Sequence, residues 1–474
     1  MAGKWSQWVE IVLCCTKKYC MEHTTSSRIY YLDWLRIFAI AGVLLFHSAM
    51  PYVADWGWHL KNSETSHVLL EFNFFLSRFR MPLLFFISGA VGWVLMQKIS
   101  HRAFLALRFK RLFIPLVAAI FLIVPPQIYF ERLSQGYTGS FWDCWLSTFD
   151  FVPYPNGNTS WHHMWFVAYL FLYDIIAMPV VAFLQTEKGS RFLEKAASVL
   201  NGRAIYLILL LPLTTHLLLN HKFPRSNDLI NDLNYFLYWG WFFMAGLLAM
   251  ACPAIMESIT RLRREILGAA FILLLVVNGI RWNGAEPGWD YQSTALLQWP
   301  ASIFDALMTL LGWTWVLALV GYGRQYLNRP HASLPYTREI IYPFYILHQT
   351  VIVVLTYYII QSPEGIGAKY LLTVLATFMI CMMIIHTLVR PFQVPRFLLG
   401  MKANMTLPGF FRLRKKIAVA AVLIILLPVT VMYTPACKKP VEKVLINRDK
   451  QTNVNKQAKL LAEPFTPLRI IQRF

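Results

Sequence analysis

The sequence predicts an all-α fold, a polytopic membrane helix bundle with ten core spans and an eleventh span near the C-terminus. Of the 474 residues, 57% are hydrophobic and 15% are aromatic, whereas only 14% are charged. This balance is too apolar for an ordinary soluble globule. Apolar stretches close to the length that crosses the hydrocarbon core recur along the chain. They cover residues 30–50, 79–97, 112–129, 161–184, 204–220, 233–251, 266–280, 300–320, 340–360, 369–388 and 417–433.

Basic residues alternate between the connections that join these stretches, and this alternation predicts the topology. The first 28 residues and every second connection are rich in Lys and Arg, whereas the intervening connections hold only a few. The positive-inside rule therefore predicts a cytoplasmic N-terminus. Because topology accounts for much of the formal net charge of +20, we expect no nucleic-acid partner.

The first span contains three polar groups that are costly at membrane depth. Asp33, Arg36 and His47 interrupt an otherwise apolar helix, and titratable groups in such a helix indicate a functional site. Arg36 and His47 are eleven residues apart, so they share one face and are separated by roughly 16 Å along the axis. Asp33 is about 21 Å from His47 by helix rise, so we expect it to pair with Arg36. The sequence does not identify the group that fixes the tautomer of His47.

Two further spans have arginines where anions could bind. In the second span, Arg80 is either a binding residue or a side chain that snorkels to the headgroups. Ser88 follows it, and together with Gly89 it also suits close helix packing. Before the third span, Arg108 and Arg111 lie three residues apart on one helix face. Guanidinium groups bind phosphate bidentately, although basic residues at a membrane surface more often serve topology.

Histidines recur at the depth expected for His47. The fourth span begins at Trp161 with WHHMWF, which includes His163 and has the aromatic pattern of a membrane interface. The ninth span opens with Glu339 and contains His348 after a proline. A single buried histidine is usually a hydrogen-bonded structural group. Several of them together with intramembrane arginines indicate a polar site.

Motifs of several common enzyme classes are missing from the sequence. It contains no G-x-S-x-G elbow, P-loop, dinucleotide fingerprint or HExxH pair. The seven cysteines have no partners at metal-binding spacing, so we expect neither a metal site nor a redox motif.

Five motifs in order resemble the acyltransferase 3 family of membrane O-acyltransferases. They are R-x10-H in the first span, whose arginine ends LDWLR, FFISG in the second, R-x-x-R before the third, HMWF in the fourth and YPFYILHQT in the ninth. YYLDWLRIFAI and FRMPLLFFISG are most similar to a branch that is associated with succinylation of periplasmic glucans. The resemblance covers about 28–400. It divides the chain into a cytoplasmic segment 1–29, a transmembrane domain 30–400 and a C-terminal part 401–474 with the eleventh span and a basic tail.

The resemblance implies transfer of an acyl group from cytoplasmic acyl-CoA to a carbohydrate hydroxyl across a bacterial inner (plasma) membrane. The expected donor is succinyl-CoA or acetyl-CoA, and the expected partners are membrane lipid, a carbohydrate acceptor and glucan-synthesis proteins. Arg36, Arg108 and Arg111 would hold the phosphates of coenzyme A. His47 would act as general base on the acceptor hydroxyl, and a covalent acyl-histidine is the alternative.

The same resemblance assigns the other candidates to the acyl and acceptor pockets or to polar pairing. The pocket candidates are Arg80, Ser88, Trp161, His163 and His348, and the pairing candidates are Asp33 and Glu339. Two interpretations from other classes stay open. The first is a transporter or flippase of a lipid-linked sugar or acyl group, in which buried Arg and His bind without covalent chemistry. The second is a structural membrane subunit.

Overall fold

The structure is a computed structural model that describes residues 28–403 except residues 221, 224, 230 and 290–296. The expected eleventh span at 417–433, the basic tail and nearly all of the N-terminal segment lie outside the described residues. The division of the chain near residues 29 and 400 therefore stays a prediction.

The regular secondary structure of the described residues is helical. The β-structure among them is limited to two isolated bridges. In chain order the helices are α1 (Tyr30–Ala49), α2 (His67–Met96), α3 (His101–Ser134), α4 (Phe141–Leu146), α5 (Trp165–Leu184), α6 (Glu187–Val199), α7 (Leu210–Leu219), α8 (Leu233–Ala251), α9 (Pro253–Arg261), α10 (Arg263–Trp282), α11 (Trp299–Tyr326), α12 (Ser333–Ile359), α13 (Ile366–Ile384) and α14 (Gln393–Leu398). Ten helical segments of the described chain are long and apolar enough to cross a membrane. The prediction of an all-α polytopic bundle with a ten-span core is confirmed.

α2 is longer than its apolar stretch, because it starts at His67 instead of residue 79. The additional turns contain polar side chains whose partners come from other helices. Glu71 Oε2 pairs with Arg281 Nη1 on α10 at 2.7 Å, and the Asn73 side-chain amide donates to the Phe46 carbonyl at 3.1 Å. These partners satisfy groups that are costly to bury alone, so the helix continues through residues that hydropathy excludes.

α2 and α8 pack closely through glycine. A β-carbon at Gly89 would lie 1.9 Å from the carbonyl oxygen of Phe243, and one at Gly246 would lie 1.9 Å from that of Phe86. No larger residue fits at either position without separating the helices. The small residue after Ser88 therefore serves close helix packing, as in other membrane bundles.

The connection between α3 and α5 forms a cap (residues 135–161) against the end of α3. The Trp145 indole donates to the Phe121 carbonyl at 2.7 Å, and the Arg132 guanidinium donates to the Pro155 carbonyl at 2.6 Å. Cys144 of α4 is buried in this packing. Hydrogen bonds and burial thus hold the cap in one arrangement beside the histidines that precede α5.

Candidate active site

Five histidines from four segments meet at the end of the bundle where α1 ends. His47 lies in the last turn of α1, His59 in the loop before α2, His162 and His163 in the turn before α5, and His348 within α12. The His348 ring is 5.1 Å from the His47 ring and 5.4 Å from the His163 ring, between centroids. The His59 and His162 rings are 4.9 Å apart.

His348 fixes the tautomer of His47. The His348 Nδ1 atom is 2.5 Å from the Tyr345 carbonyl oxygen. Since that oxygen only accepts, Nδ1 has the proton and Nε2 is the acceptor. His47 Nδ1 lies 2.9 Å from this Nε2 atom and must donate to it. The Nε2 atom of His47 is thereby left with a free lone pair, which is the state that a general base requires.

His163 holds α12 beside this pair of rings. Its Nε2–H donates to the Ile346 carbonyl at 2.9 Å, and its Nδ1 accepts from the Gln127 side-chain amide at 3.4 Å. The Tyr345 hydroxyl donates to the backbone carbonyl of His163 at 2.5 Å. Because both ring nitrogens already have protein partners, His163 supports the position of His348 through these contacts.

Arg80 lies inside the bundle beside the histidines and does not snorkel to the headgroups. It is 7% exposed, and its Cζ atom lies 3.5 Å from the centre of the Phe46 ring. Its Nε atom is buried and has no hydrogen-bond partner among the described residues. Arg80 interacts electrostatically with His47 and His348. A buried guanidinium with an unused donor next to a base is suited to bind an anionic group of a substrate.

Ser88 and Trp161 are engaged with the protein backbone. The Ser88 hydroxyl donates to the Leu84 carbonyl at 2.7 Å within α2, and the Trp161 indole donates to the Asn227 carbonyl at 3.1 Å. Ser88 is also eight residues from Arg80 along the helix, a distance of about 12 Å. Ser88 is thus separated in depth from the histidine group, whereas Trp161 directly precedes the histidine turn.

Three arginines lie near the N-terminal end of α1: Arg36 of α1 itself, and Arg108 and Arg111 of α3. Arg108 is the one that interacts with both of the others. Arg36 and Arg111 each interact electrostatically with Arg108. Arg108 forms an ion pair with Asp174 on α5, with 3.1 Å between Nε and Oδ2, and Asp174 is 1% exposed. Arg108 Nη2 and Asp174 Oδ1 are buried without hydrogen bonds to any described residue. The cluster therefore has one member fixed by a buried carboxylate and further donors that remain unused.

The pairing expected for Asp33 needs correction. Its ion pairs are with Arg28 and Arg338, each with 3.7 Å between Nε and Oδ2, whereas Arg36 interacts with it only electrostatically at longer range. Arg338 belongs to α12, so its contact with Asp33 joins distant parts of the sequence. The Asp33 side chain therefore links α1 to α12, and Arg36 has no carboxylate within 4 Å among the described residues.

Glu339 pairs with two basic residues from the C-terminal end of the described chain. Its carboxylate lies 3.2 Å from Arg390 Nη2 and 3.2 Å from Arg396 Nη1. These ion pairs connect α12 with the segment after α13, so Glu339 has a structural role.

Two features of the site escape sequence reasoning. Asp174 is the single acidic residue of the apolar α5 helix, and its position within a span was the available signal. The other feature is a group formed by His59, Glu131 and His162, whose ligand atoms lie within 4.8 Å of one another. These residues are scattered over about 100 positions with no motif spacing, so only the fold reveals their proximity.

Comparison with known proteins identifies the family. A family model described as an acyltransferase domain, that of the acyltransferase 3 family, matches residues 29–389. Proteins named glucans biosynthesis protein C from Shigella dysenteriae serotype 1 and Escherichia coli K12 are 24% identical to the chain over 337 residues, which is 69% of this chain and 83% of each relative. No solved structure matches the chain. Because the family match spans most of the chain and includes all ten spans, the protein belongs to the acyltransferase 3 family of membrane acyltransferases.

Proposed function

We propose that the protein is an O-acyltransferase that moves a succinyl or acetyl group from cytoplasmic acyl-CoA to a hydroxyl of an extracytoplasmic glucan or other carbohydrate. The observation that supports this most strongly is the hydrogen bond between His47 and His348, which leaves His47 Nε2 free to accept a proton. Arg36 lies on the same helix about three turns away. One helix thus connects a base at one end of the bundle with a cationic cluster at the other.

The cationic cluster is suited to the phosphates of coenzyme A. Arg36, Arg108 and Arg111 supply planar guanidinium groups, which form charge-assisted bidentate hydrogen bonds with phosphate. Asp174 keeps Arg108 directed into the bundle, so this residue would meet the part of the donor that enters between the helices. The pantetheine arm would then run along α1 toward His47.

The chemistry at His47 needs one base and one leaving group. His47 Nε2 removes the proton of the acceptor hydroxyl, and the oxygen attacks the thioester carbonyl carbon. A C–O bond forms, the C–S bond breaks, and the thiolate of coenzyme A leaves with the electron pair. The imidazolium of His47 returns the proton to this thiolate, so the base is regenerated.

The choice of donor would depend on Arg80. A succinyl group has a free carboxylate at the end remote from the thioester, and a buried guanidinium with an unused donor is well suited to bind it. The acceptor proposal comes from the relatives named glucans biosynthesis protein C. On the same basis we propose a bacterial inner membrane location, with membrane lipid around the helices and glucan-synthesis proteins as partners. The alternation of basic residues supports a cytoplasmic N-terminus.

The decisive experiment measures release of free thiol by the reconstituted protein. Wild type, His47→Ala and the exposed-residue control His67→Ala each receive succinyl-CoA or acetyl-CoA with and without glucan. We expect acceptor-dependent release from one donor in wild type and in the control, and none in His47→Ala. Equal release in His47→Ala would remove the base assignment, and movement of sugar without thiol release would favour the transporter interpretation.

The donor site has its own test. Equilibrium binding of coenzyme A should weaken about tenfold or more in Arg111→Ala, because a charge-assisted hydrogen bond contributes about 1.5–3 kcal/mol. Lys98→Ala, which removes an exposed basic residue beyond the end of α2, serves as the control. Unchanged affinity in Arg111→Ala would show that the phosphates bind elsewhere.

A further inference from the structure

His59, Glu131 and His162 bring three ligand-type side chains together from separate segments. His59 belongs to the loop before α2, Glu131 to the last turns of α3 and His162 to the turn before α5. One ligand atom from each lies within 4.8 Å of the other two. Glu131 is only 4% exposed, so its charge requires a strong partner.

His162 is held in a costly conformation with one nitrogen unused. Its φ of 42° lies in the left-handed region, which non-glycine residues adopt mainly where the surrounding structure demands it, as at ligand sites. The Ser160 hydroxyl oxygen is 2.6 Å from His162 Nδ1 and 3.1 Å from its backbone nitrogen. The other ring nitrogen, Nε2, is buried and has no hydrogen-bond partner in the described part of the chain. A proton on Nδ1 leaves Nε2 with a lone pair directed to no protein group.

Glu131 is oriented so that one oxygen faces the histidines. Its Oε1 atom accepts from the Tyr154 hydroxyl at 2.5 Å and from the Gln135 amide at 3.3 Å. The Oε2 atom contacts His59 Nδ1. Outer hydrogen bonds of this kind hold ligand side chains in place in metal sites.

We propose that His59 Nδ1, Glu131 Oε2 and His162 Nε2 bind a Zn²⁺ ion, with water in the fourth position. Two imidazoles and one carboxylate are a common ligand set for zinc. The ion takes the place of the proton that lies between His59 Nδ1 and Glu131 Oε2, and this proton moves to His59 Nε2, so the imidazole stays neutral. The proposal does not rest on acyl transfer, and it departs from the expectation of no metal that the cysteine spacing gave.

Metal binding requires adjustments of several side chains, because the contact between His59 Nδ1 and Glu131 Oε2 must also widen to admit the ion. Zinc bonds of 2.0–2.1 Å in a tetrahedron separate the ligand atoms by about 3.4 Å. The two imidazole planes now differ by 17°, so the His162 ring must turn for both lone pairs to converge on one point. With the metal on Nδ1, the remaining proton of His59 is on Nε2, 3.3 Å from the Gln349 amide group. Rotation of that amide supplies an accepting oxygen only if Gln127, whose Oε1 now accepts from Gln349 at 3.2 Å, rotates with it.

The ion would fasten the cap to the bundle beside the candidate active site. It would join the loop before α2, the end of α3 and the turn before α5, which have no covalent link other than the chain itself. Gln349, the neighbour of His348 in sequence, contacts His59. The site is therefore structural in its proposed role and adjacent to the His47 and His348 pair.

The test is the metal content of the full-length protein, purified in detergent through a tag without histidines. We expect about one equivalent of zinc by elemental analysis. After removal of zinc by a chelator, titration with Co²⁺ should give the visible absorption of a nitrogen- and oxygen-ligated ion. Glu131→Gln and His162→Ala should lose both signals, whereas His67→Ala, an exposed histidine in the first turn of α2, should retain them.

Three results would overturn the proposal. The first is a wild-type protein that binds neither ion in stoichiometric amount. The second is undiminished binding in monodisperse Glu131→Gln or His162→Ala protein. Thiolate-to-cobalt absorption would likewise assign the ion to cysteines, of which Cys14, Cys15 and Cys20 are the clustered candidates. The wild-type measurement decides the matter even if a variant fails to fold.

Discussion

Replacement of His348 by leucine should slow acyl transfer without weakening donor binding. The His348 ring is 0% exposed, and its Nε2 atom accepts the Nδ1–H of His47 at 2.9 Å. Leucine has a similar reach and no acceptor. The His47 Nδ1–H then loses its partner, and the imidazole is free to place its proton on Nε2, where it can no longer act as a base.

The size of the effect follows from that lost hydrogen bond. A buried donor left without an acceptor costs about 1–3 kcal/mol, and each 1.36 kcal/mol is tenfold in rate. We therefore expect kcat to fall about five- to 150-fold in His348→Leu. His47→Ala removes the base itself, for which the loss is about 10²- to 10⁴-fold. The apparent KM for acyl-CoA should stay the same in both, because the arginine cluster is about three turns away along α1.

Steady-state thiol release for wild type, His348→Leu and His348→Gln provides the assay. The glutamine side-chain amide reaches the position of the imidazole Nε2 atom and can present an oxygen there. His348→Gln should therefore restore most of kcat, whereas His348→Leu, which fills the same space without an acceptor, should not. The reasoning is refuted if His348→Gln is as slow as His348→Leu in folded protein, or if the two variants change KM and leave kcat intact.

Three further predictions follow from individual contacts. Asp174→Asn removes the charge that pairs with Arg108. It should destabilise the protein by about 3–5 kcal/mol, because it breaks a buried ion pair, and it should raise the KM for acyl-CoA. An unchanged thermal unfolding profile would contradict this prediction. Arg80→Ala should reduce the preference for succinyl-CoA over acetyl-CoA while coenzyme A binding is kept, and unaltered donor selectivity in competition assays would refute it. Gly246→Leu should prevent folding, since a β-carbon there lies 1.9 Å from a carbonyl oxygen, whereas Gly268→Leu, with no atom within 4 Å, should yield normal amounts of monodisperse protein.

The helices could be predicted from the sequence because apolar length alone requires them in a membrane. Their bounds could not always be predicted. Hydropathy excludes Glu71 and Asn73 from the second span, yet the partners of both come from other helices and make the longer helix stable. A sequence window has no information about such partners, so it shortens every span whose polar residues are satisfied by distant ones.

The same limit explains what could be predicted of the candidate site. The pair Arg36 and His47 follows from the helical repeat within one span. The contact of His47 with His348 joins residues 301 positions apart, and it depends on how α12 packs against α1. Arg80 was ambiguous for the same reason, because only packing decides whether a guanidinium points to the headgroups or onto the Phe46 ring.

The hydrogen bonds around His47 also bear on whether it forms a covalent acyl intermediate. After proton uptake at Nε2, the charge can spread to His348 through their shared proton, but no further, since the His348 Nδ1–H ends on the Tyr345 carbonyl. This carbonyl cannot relay a proton, so the proton must leave by Nε2, toward the thiolate that the proposed reaction produces. An acyl group on Nε2 would block that exit. General-base catalysis therefore fits the arrangement better, and mass spectrometry of protein incubated with donor alone should find His47 unmodified. A stable acyl adduct on His47 that disappears when glucan is added would contradict this and establish the covalent route.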